Sequence, residues 1–166
     1  TETAEKEDHR IIAGTVVIAN ILDRLELDAV AIPDTIKELP TRFEGLPNIG
    51  NAMDPDPEII KSLNPTELLT VSTLEYDLKD SFETYKIPAD YLDLTSVEDM
   101  LAEIEELGNR YSRTEQAEKL IAELNAEIEA VQQVAENNEK PRVLILLGVP
   151  GSYLVATEHS YAGDLV

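Results

Sequence analysis

The chain has 166 residues, of which 43% are hydrophobic, enough for one core and too many for a disordered polymer. Its 34 Asp and Glu against 13 Lys and Arg give a net charge of -21. That charge excludes nucleic-acid binding through phosphate neutralisation and electrostatic docking on anionic lipid. Without cysteine there is no disulfide, thiolate metal site or cysteine nucleophile, and the two histidines, His9 and His159, are too few and too distant in sequence for a histidine-based metal centre.

Residues 1–9 are polar and charged and read as a flexible, solvated tail without signal-peptide character. The apolar run Arg10–Gly14 predicts a strand that turns at Gly14. Thr15 is the natural N-cap of a helix through about Leu25, with Val17, Ile18, Ile21, Leu22 and Leu25 on one face. Ala29–Ile32 predicts a second strand stopped by Pro33, and this strand–helix–strand rhythm is that of a parallel βαβ unit.

Asp34 to Asn51 has no regular periodicity and is punctuated by Pro40, Gly45, Pro47 and Gly50. It predicts a long loop, which in a compact domain is usually functional. Asn48–Glu58 continues it with Gly, Asn, Asp and Pro around Met53, one of only two methionines. Two readings of Met53 stand open on residues alone: adaptable filler beneath Ile49 and Pro55, or a thioether held out for a ligand. Asp56, Pro57 and Glu58 are the N-cap and first turn of a helix ended by Asn64-Pro65.

Further along, Glu67–Ser72 predicts a third strand, Asp77–Lys86 a helix and Asp90–Leu94 a fourth strand. The class is therefore α/β, with a mostly parallel sheet flanked by helices. Ligands of such sheets bind outside the carboxyl ends of the strands, here Gly14-Thr15, Pro33-Asp34 and Ser72-Thr73. Ser96 with Asp99 starts the next helix, which Gly108 interrupts, and Ser112–Glu115 reads as a capping box for a long helix to about Asn137, stopped by Pro141. Arg142–Gly148 has the continuous apolar character of a strand buried on both faces, followed by a turn at Val149–Ser152 and a strand over Tyr153–Thr157. Ser160–Val166 reads as a helix just beginning, so the sequence is expected to be truncated where a second βα unit starts. A small α/β enzyme is the competing class. It lacks support from a nucleophile elbow, since Gly151-Ser152 has no flanking pattern, and from a phosphate loop, since no Gly-Lys follows Gly14-Thr15.

The Asn48–Pro55 loop with Glu58–Glu67, and the block Lys140–Thr157, resemble the haem-binding lipoproteins that serve Gram-positive ABC importers. The resemblance runs from Arg10 to Val166. It implies an N-terminal lobe over residues 10–95, a connecting helical segment over 96–139 and the start of a C-terminal lobe over 140–166, with haem between the lobes. It further implies Met53 as one axial ligand of the haem iron, the other being a histidine of the second lobe beyond Val166 and not His159. Thr15, Val16, Thr35, Ile36, Lys37 and Thr73 become candidate haem neighbours, the helix start at Thr15-Val16 suiting a propionate. Glu58 becomes a contact for the ABC permease. The function so implied is binding without catalysis at the outer face of a cell membrane, with a lipid anchor. Haem or another iron complex would be taken up, and upstream cell-surface haem-binding proteins would be further partners. A siderophore or cobalamin receptor of the same architecture is the alternative. Residues 142–148, too apolar for an exposed edge, are expected to pair with a second copy, dock on the first lobe or stay poorly ordered.

Overall fold

The structure, a computed structural model, describes residues 9–136, 138–139, 142–149 and 151–166. The polar tail up to residue 8, the end of the long helix at Asn137, the helix stop at Pro141 and the turn residue Pro150 lie outside them. The chain forms two compact units, residues 1–92 and 93–166.

In the first unit, β1 (Ile11–Ala13) leads into α1 (Val16–Arg24), then β2 (Ile32–Asp34), β3 (Asn48–Asn51), β4 (Asp54–Pro55), α2 (Pro57–Ser62), β5 (Glu67–Val71), α3 (Glu75–Tyr85) and β6 (Ala89–Leu92). Parallel pairing joins β1 to β5 and β5 to β6 in one sheet, and β2 to β3 in another, with β4 returning antiparallel to β3. The two sheets are continuous through a parallel bridge between Ile12 and Ala31, reinforced by Val30 N–H to the Ile11 carbonyl at 2.8 Å and Ala13 N–H to the Ala31 carbonyl at 3.1 Å. The spatial order is therefore β6-β5-β1-β2-β3-β4. Ile11, Ile12, Ile18, Leu22, Leu68 and Leu69 are buried where the helical stripe meets the apolar strands, as their spacing predicts.

Two segments of this unit differ from the sequence reading. Asn48–Pro55 is a tight hairpin, β3 to β4, although Ile49 is its one fully buried large apolar side chain. Its polar residues hide the strand character because hydrogen bonds, not apolar alternation, specify it: Gly50 N–H donates to Asn48 Oδ1 at 2.7 Å and Met53 N–H to Asn51 Oδ1 at 2.9 Å. The second strand lies later than Ala29–Ile32: it starts at Ile32 and does not stop at Pro33. It continues to Asp34, because β2 takes Pro33 at a position that needs no N–H, while Ile32 N–H donates to the Pro47 carbonyl at 3.0 Å.

The second unit holds α4 (Val97–Arg110), α5 (Thr114–Glu136), the antiparallel hairpin β7 (Ile145–Val149) and β8 (Ser152–Ala156), and α6 (Tyr161–Asp164). Ser96 caps α4, its hydroxyl accepting from Asp99 N–H at 3.0 Å. Gly108 does not interrupt that helix. It lies buried within it, where an added Cβ would stand 2.4 Å from the Ala117 Cβ, so its smallness lets α4 and α5 approach. Nor is Ser112 an N-cap: its φ of 55° is left-handed, and it belongs to the turn that ends α4, closed by Arg113 N–H to the Gly108 carbonyl at 2.7 Å.

The strand read as buried on both faces is instead half of an exposed hairpin. Leu144, Leu146, Leu147, Tyr153, Leu154 and Val155 are all at least half exposed, because among the described residues β7 pairs only with β8. Between Arg142 and Thr157 there is no carboxylate, so the general acidity of the chain does not protect this surface. The isolated 166-residue chain is expected to self-associate with rising concentration in light scattering, and a double change Leu147→Lys, Leu154→Lys, at paired positions of the hairpin, to return it to a monomer. A wild-type chain that stays monomeric at every concentration would rule this association out.

Candidate functional site

The first unit has one edge where several chain segments converge. From β1 the chain proceeds through β2 to β3 in one direction across the sheet, then jumps back to β5 on the opposite side of β1. The strand order reverses between β1 and β5, and the crevice outside the carboxyl ends at such a point is the usual ligand position.

Gly14, directly after β1, allows that crevice to close tightly. Its N–H donates to the Leu69 carbonyl at 2.8 Å, and a Cβ there would stand 2.9 Å from that oxygen and 3.0 Å from the Thr70 Cβ. Thr15 then caps α1, its hydroxyl accepting from Ile18 N–H at 3.4 Å. The N–H groups of Val16 and Val17 in the first turn have no intrahelical acceptor and sit at the positive end of the helix dipole.

After β2 come Thr35, Ile36 and Lys37. Lys37 N–H donates to the Thr35 hydroxyl at 3.0 Å, a local turn that leaves Ile36 and Lys37 exposed. The loop behind them is anchored by Phe43, fully buried, and by Arg42, which donates to the Leu27 carbonyl at 3.2 Å and lies 3.4 Å from Asp23. Among the described residues the Lys37 ammonium has no salt bridge.

Met53 occupies the two-residue tip of the β3–β4 hairpin, and β3 runs parallel to β2, so this tip shares the same edge. It is 68% exposed, which is incompatible with packing beneath Ile49 and Pro55. Thr73, in a 3-10 turn after β5, is exposed on this edge as well. The topology thus brings Thr15, Val16, Thr35, Ile36, Lys37, Met53 and Thr73 to one edge of one sheet. The strands that lead to Thr15 and Met53, β1 and β3, lie two strand spacings apart, roughly 10 Å.

Glu58 is elsewhere. The chain has turned back along β4 before α2 begins, and Glu58 is exposed in the first turn of that helix, its N–H held by Asp56 Oδ1 at 2.9 Å. His159 is exposed in the second unit, 3.9 Å from Glu158. No group of three or more His, Asp or Glu side chains gathers as a metal cage among the described residues.

Sequence reasoning misplaced Val17, which it put on the apolar face of α1 with buried Ile18 and Leu22, and missed Tyr76. Val17 is partly exposed in the first turn of α1, and Tyr76 is 94% exposed in the first turn of α3. An aromatic outside any apolar stripe was the available signal for Tyr76. A separate cavity of about 280 Å³ lies along α3 and β6, lined by Glu75, Lys79, Phe82, Glu83, Ile87, Ala89 and Tyr91. There, burial and then the Glu75 carboxylate push the Tyr91 phenol above its usual pKa, and the hydrogen bond to Glu75 at 2.8 Å holds the Lys79 ammonium above its own. This cavity uses none of the residues of the carboxyl edge just described.

The high-affinity heme uptake system protein IsdE of Staphylococcus aureus is 39% identical over 166 residues, covering 99% of this chain and 57% of that protein. A crystal structure of an ABC transporter substrate-binding protein from Listeria monocytogenes EGD-e superposes with a TM-score of 0.91 at 46% identity, over 95% of this chain and 61% of that one. The crystal structure of S. aureus IsdE complexed with heme gives a TM-score of 0.89 at 39% identity, again over 95% and 61%. The chain thus spans less than two thirds of the length of these relatives. The family model described as periplasmic binding protein matches residues 11–166, and with the α/β sheet described above this places the chain in the periplasmic binding protein family.

Proposed function

We propose that the chain is part of an extracytoplasmic haem-binding protein that delivers its ligand to an ABC permease for iron uptake, binding without catalysis. The observation that carries this reading is the exposed Met53 thioether at a hairpin tip, on the same sheet edge as a helix N-terminus and the Lys37 ammonium. In this reading Met53 takes one axial position of the haem iron. A neutral thioether suits haem iron and raises its potential. The free N–H groups at the start of α1, capped by Thr15 and including Val16, receive a propionate, and Lys37 supplies the positive charge that a dianionic ligand needs in an acidic protein. Thr35, Ile36 and Thr73 border the ring. Glu58, exposed in the first turn of α2, is the contact for the permease.

Residues 10–95 serve as the ligand-binding lobe, 96–139 as the connecting helices and 140–166 as the start of a second lobe. Partners upstream are cell-surface haem donors, and the location is the outer face of the membrane with a lipid anchor on the full-length protein. Titration of the full-length protein with haemin is expected to produce a saturable shift of the Soret band. Saturable uptake of a ferric siderophore or cobalamin with no Soret change would replace haem with that ligand.

A further inference from the structure

The carboxyl edge carries apolar side chains whose exposure nothing in the fold requires. Val17, Ile36, Met53 and Tyr76 project from four different segments, those after β1, β2, β3 and β5. A lone exposed apolar residue needs no explanation, but four on successive loops of one sheet edge form an apolar fringe around the switch point. Ile36 and Tyr76 are the most exposed of the four, and Tyr76 is the one that follows β5. Its place follows from the topology: the 3-10 turn Ser72–Leu74 leaves the carboxyl end of β5, and α3 starts at Glu75 before running back toward the start of β6. Its first turn therefore stands on the ligand edge, on the far side of β1 from Met53. Among the described residues the Tyr76 phenol has no hydrogen-bond partner, and its ring packs into no core.

We infer that Tyr76 is a ligand-contact residue that lays its ring against the flat apolar body of the bound porphyrin, at the end of the site opposite the iron-binding sulfur. This rests on the haem reading of the same edge and adds to it a residue and a division of labour. Met53 contacts the metal. Tyr76, with Ile36 and Val17, contacts the ring irrespective of metal. A tyrosine suits such a place, since it offers a large rigid face at low entropic cost and a polar tip that tolerates water when the site is empty. The neighbouring Asp77 carboxylate and the Glu75–Lys79 pair make this end a poor place for a second carboxylate, which favours ring contact over propionate binding by the phenol.

The test uses the full-length protein with two probes, haemin and metal-free protoporphyrin IX, followed by absorbance and by porphyrin fluorescence. Tyr76→Ser is expected to weaken both probes alike, by roughly three- to tenfold, the range of one aromatic contact. Tyr76→Phe is expected to leave both within about twofold, because the ring remains. Unchanged thermal unfolding of both variants would agree with the exposure of the side chain. Equal affinities for wild type and Tyr76→Ser overturn the inference while leaving the haem reading intact. A loss in Tyr76→Phe as large as in Tyr76→Ser also overturns it, since the hydroxyl and not the ring would then be the contact. If wild-type protein takes up neither probe, the haem reading itself fails and the contact with it.

Discussion

Gly14→Val is expected to be among the most damaging single substitutions in the first unit, lowering stability by roughly 1–3 kcal/mol or more, the cost of overpacking a site whose walls cannot move. The φ of Gly14 is not positive, so the demand is for space and not for backbone freedom. A Cβ would meet the Leu69 carbonyl oxygen at 2.9 Å, the Thr70 Cβ at 3.0 Å and the Thr70 hydroxyl oxygen at 3.1 Å. None of these is the far end of a flexible chain. The backbone cannot retreat either, because the Gly14 N–H is bonded to that same Leu69 oxygen. Thr70 is 1% exposed and its hydroxyl has no partner within the described residues, so the neighbourhood already holds a costly polar atom. Relief would come from parting β1 and β5 at the switch point. That would also displace the Thr15 cap and the free N–H groups of α1. Urea unfolding of Gly14→Ala and Gly14→Val is therefore expected to show a graded fall in midpoint, with ligand affinity falling in step. A valine variant within about 0.5 kcal/mol of wild type, the ordinary scatter of surface changes, would refute the close-packing account.

Much of this fold was legible in the sequence where burial and periodicity coincide. The stripe Ile18, Ile21, Leu22 identified α1, and the run Leu68, Leu69 identified a central strand, because each sits where apolar contact is the main determinant. Caps whose side chains make their own hydrogen bonds were equally readable: Thr15, Asp56 and Ser96 all accept backbone N–H groups at their helix starts. The failures share a physical origin. The β3–β4 hairpin is specified by Asn48 and Asn51 side chains bonding to the backbone, and such residues read locally as loop. Gly108 is a contact surface for Ala117, a tertiary demand that resembles a helix breaker in one dimension. Ser112 has the right chemistry for a cap but the wrong φ, which only the turn between α4 and α5 decides. Of the site, the strand ends were legible from topology alone. Met53 was not: residues alone left filler and ligand both open, and a resemblance was needed to favour the second. Its 68% exposure now removes the packing alternative on physical grounds. Tyr76 was missed because a single exposed aromatic breaks no periodic pattern.

Met53→Ala is expected to have the largest effect on ligand binding of any substitution on this edge. Loss of an outer-shell partner already costs a metal site roughly 10–100-fold, and loss of an axial donor should cost haemin at least that. The change should be nearly silent in stability, because an exposed side chain at a hairpin tip supports no core. The hairpin is held by the backbone and by Asn51, whose Oδ1 accepts from the Met53 N–H and not from its side chain. The expected signature is a split between probes. Haemin should bind more weakly with a shifted Soret band, while metal-free protoporphyrin IX should bind Met53→Ala as it binds wild type, apart from the small apolar contact removed. Met53→His is the informative companion. Imidazole is a stronger donor to ferric iron than a thioether, so this variant should retain haemin, give a different Soret position and lower the reduction potential. Silence in both variants would remove Met53 from the iron and leave the edge as an apolar and anion-binding surface, the form that a receptor for a different iron complex would take. A loss of protoporphyrin equal to the loss of haemin would also remove it, by showing that Met53→Ala damages the shape of the edge and not a bond to the metal. Only the metal-selective loss would assign the exposed Met53 sulfur to the iron.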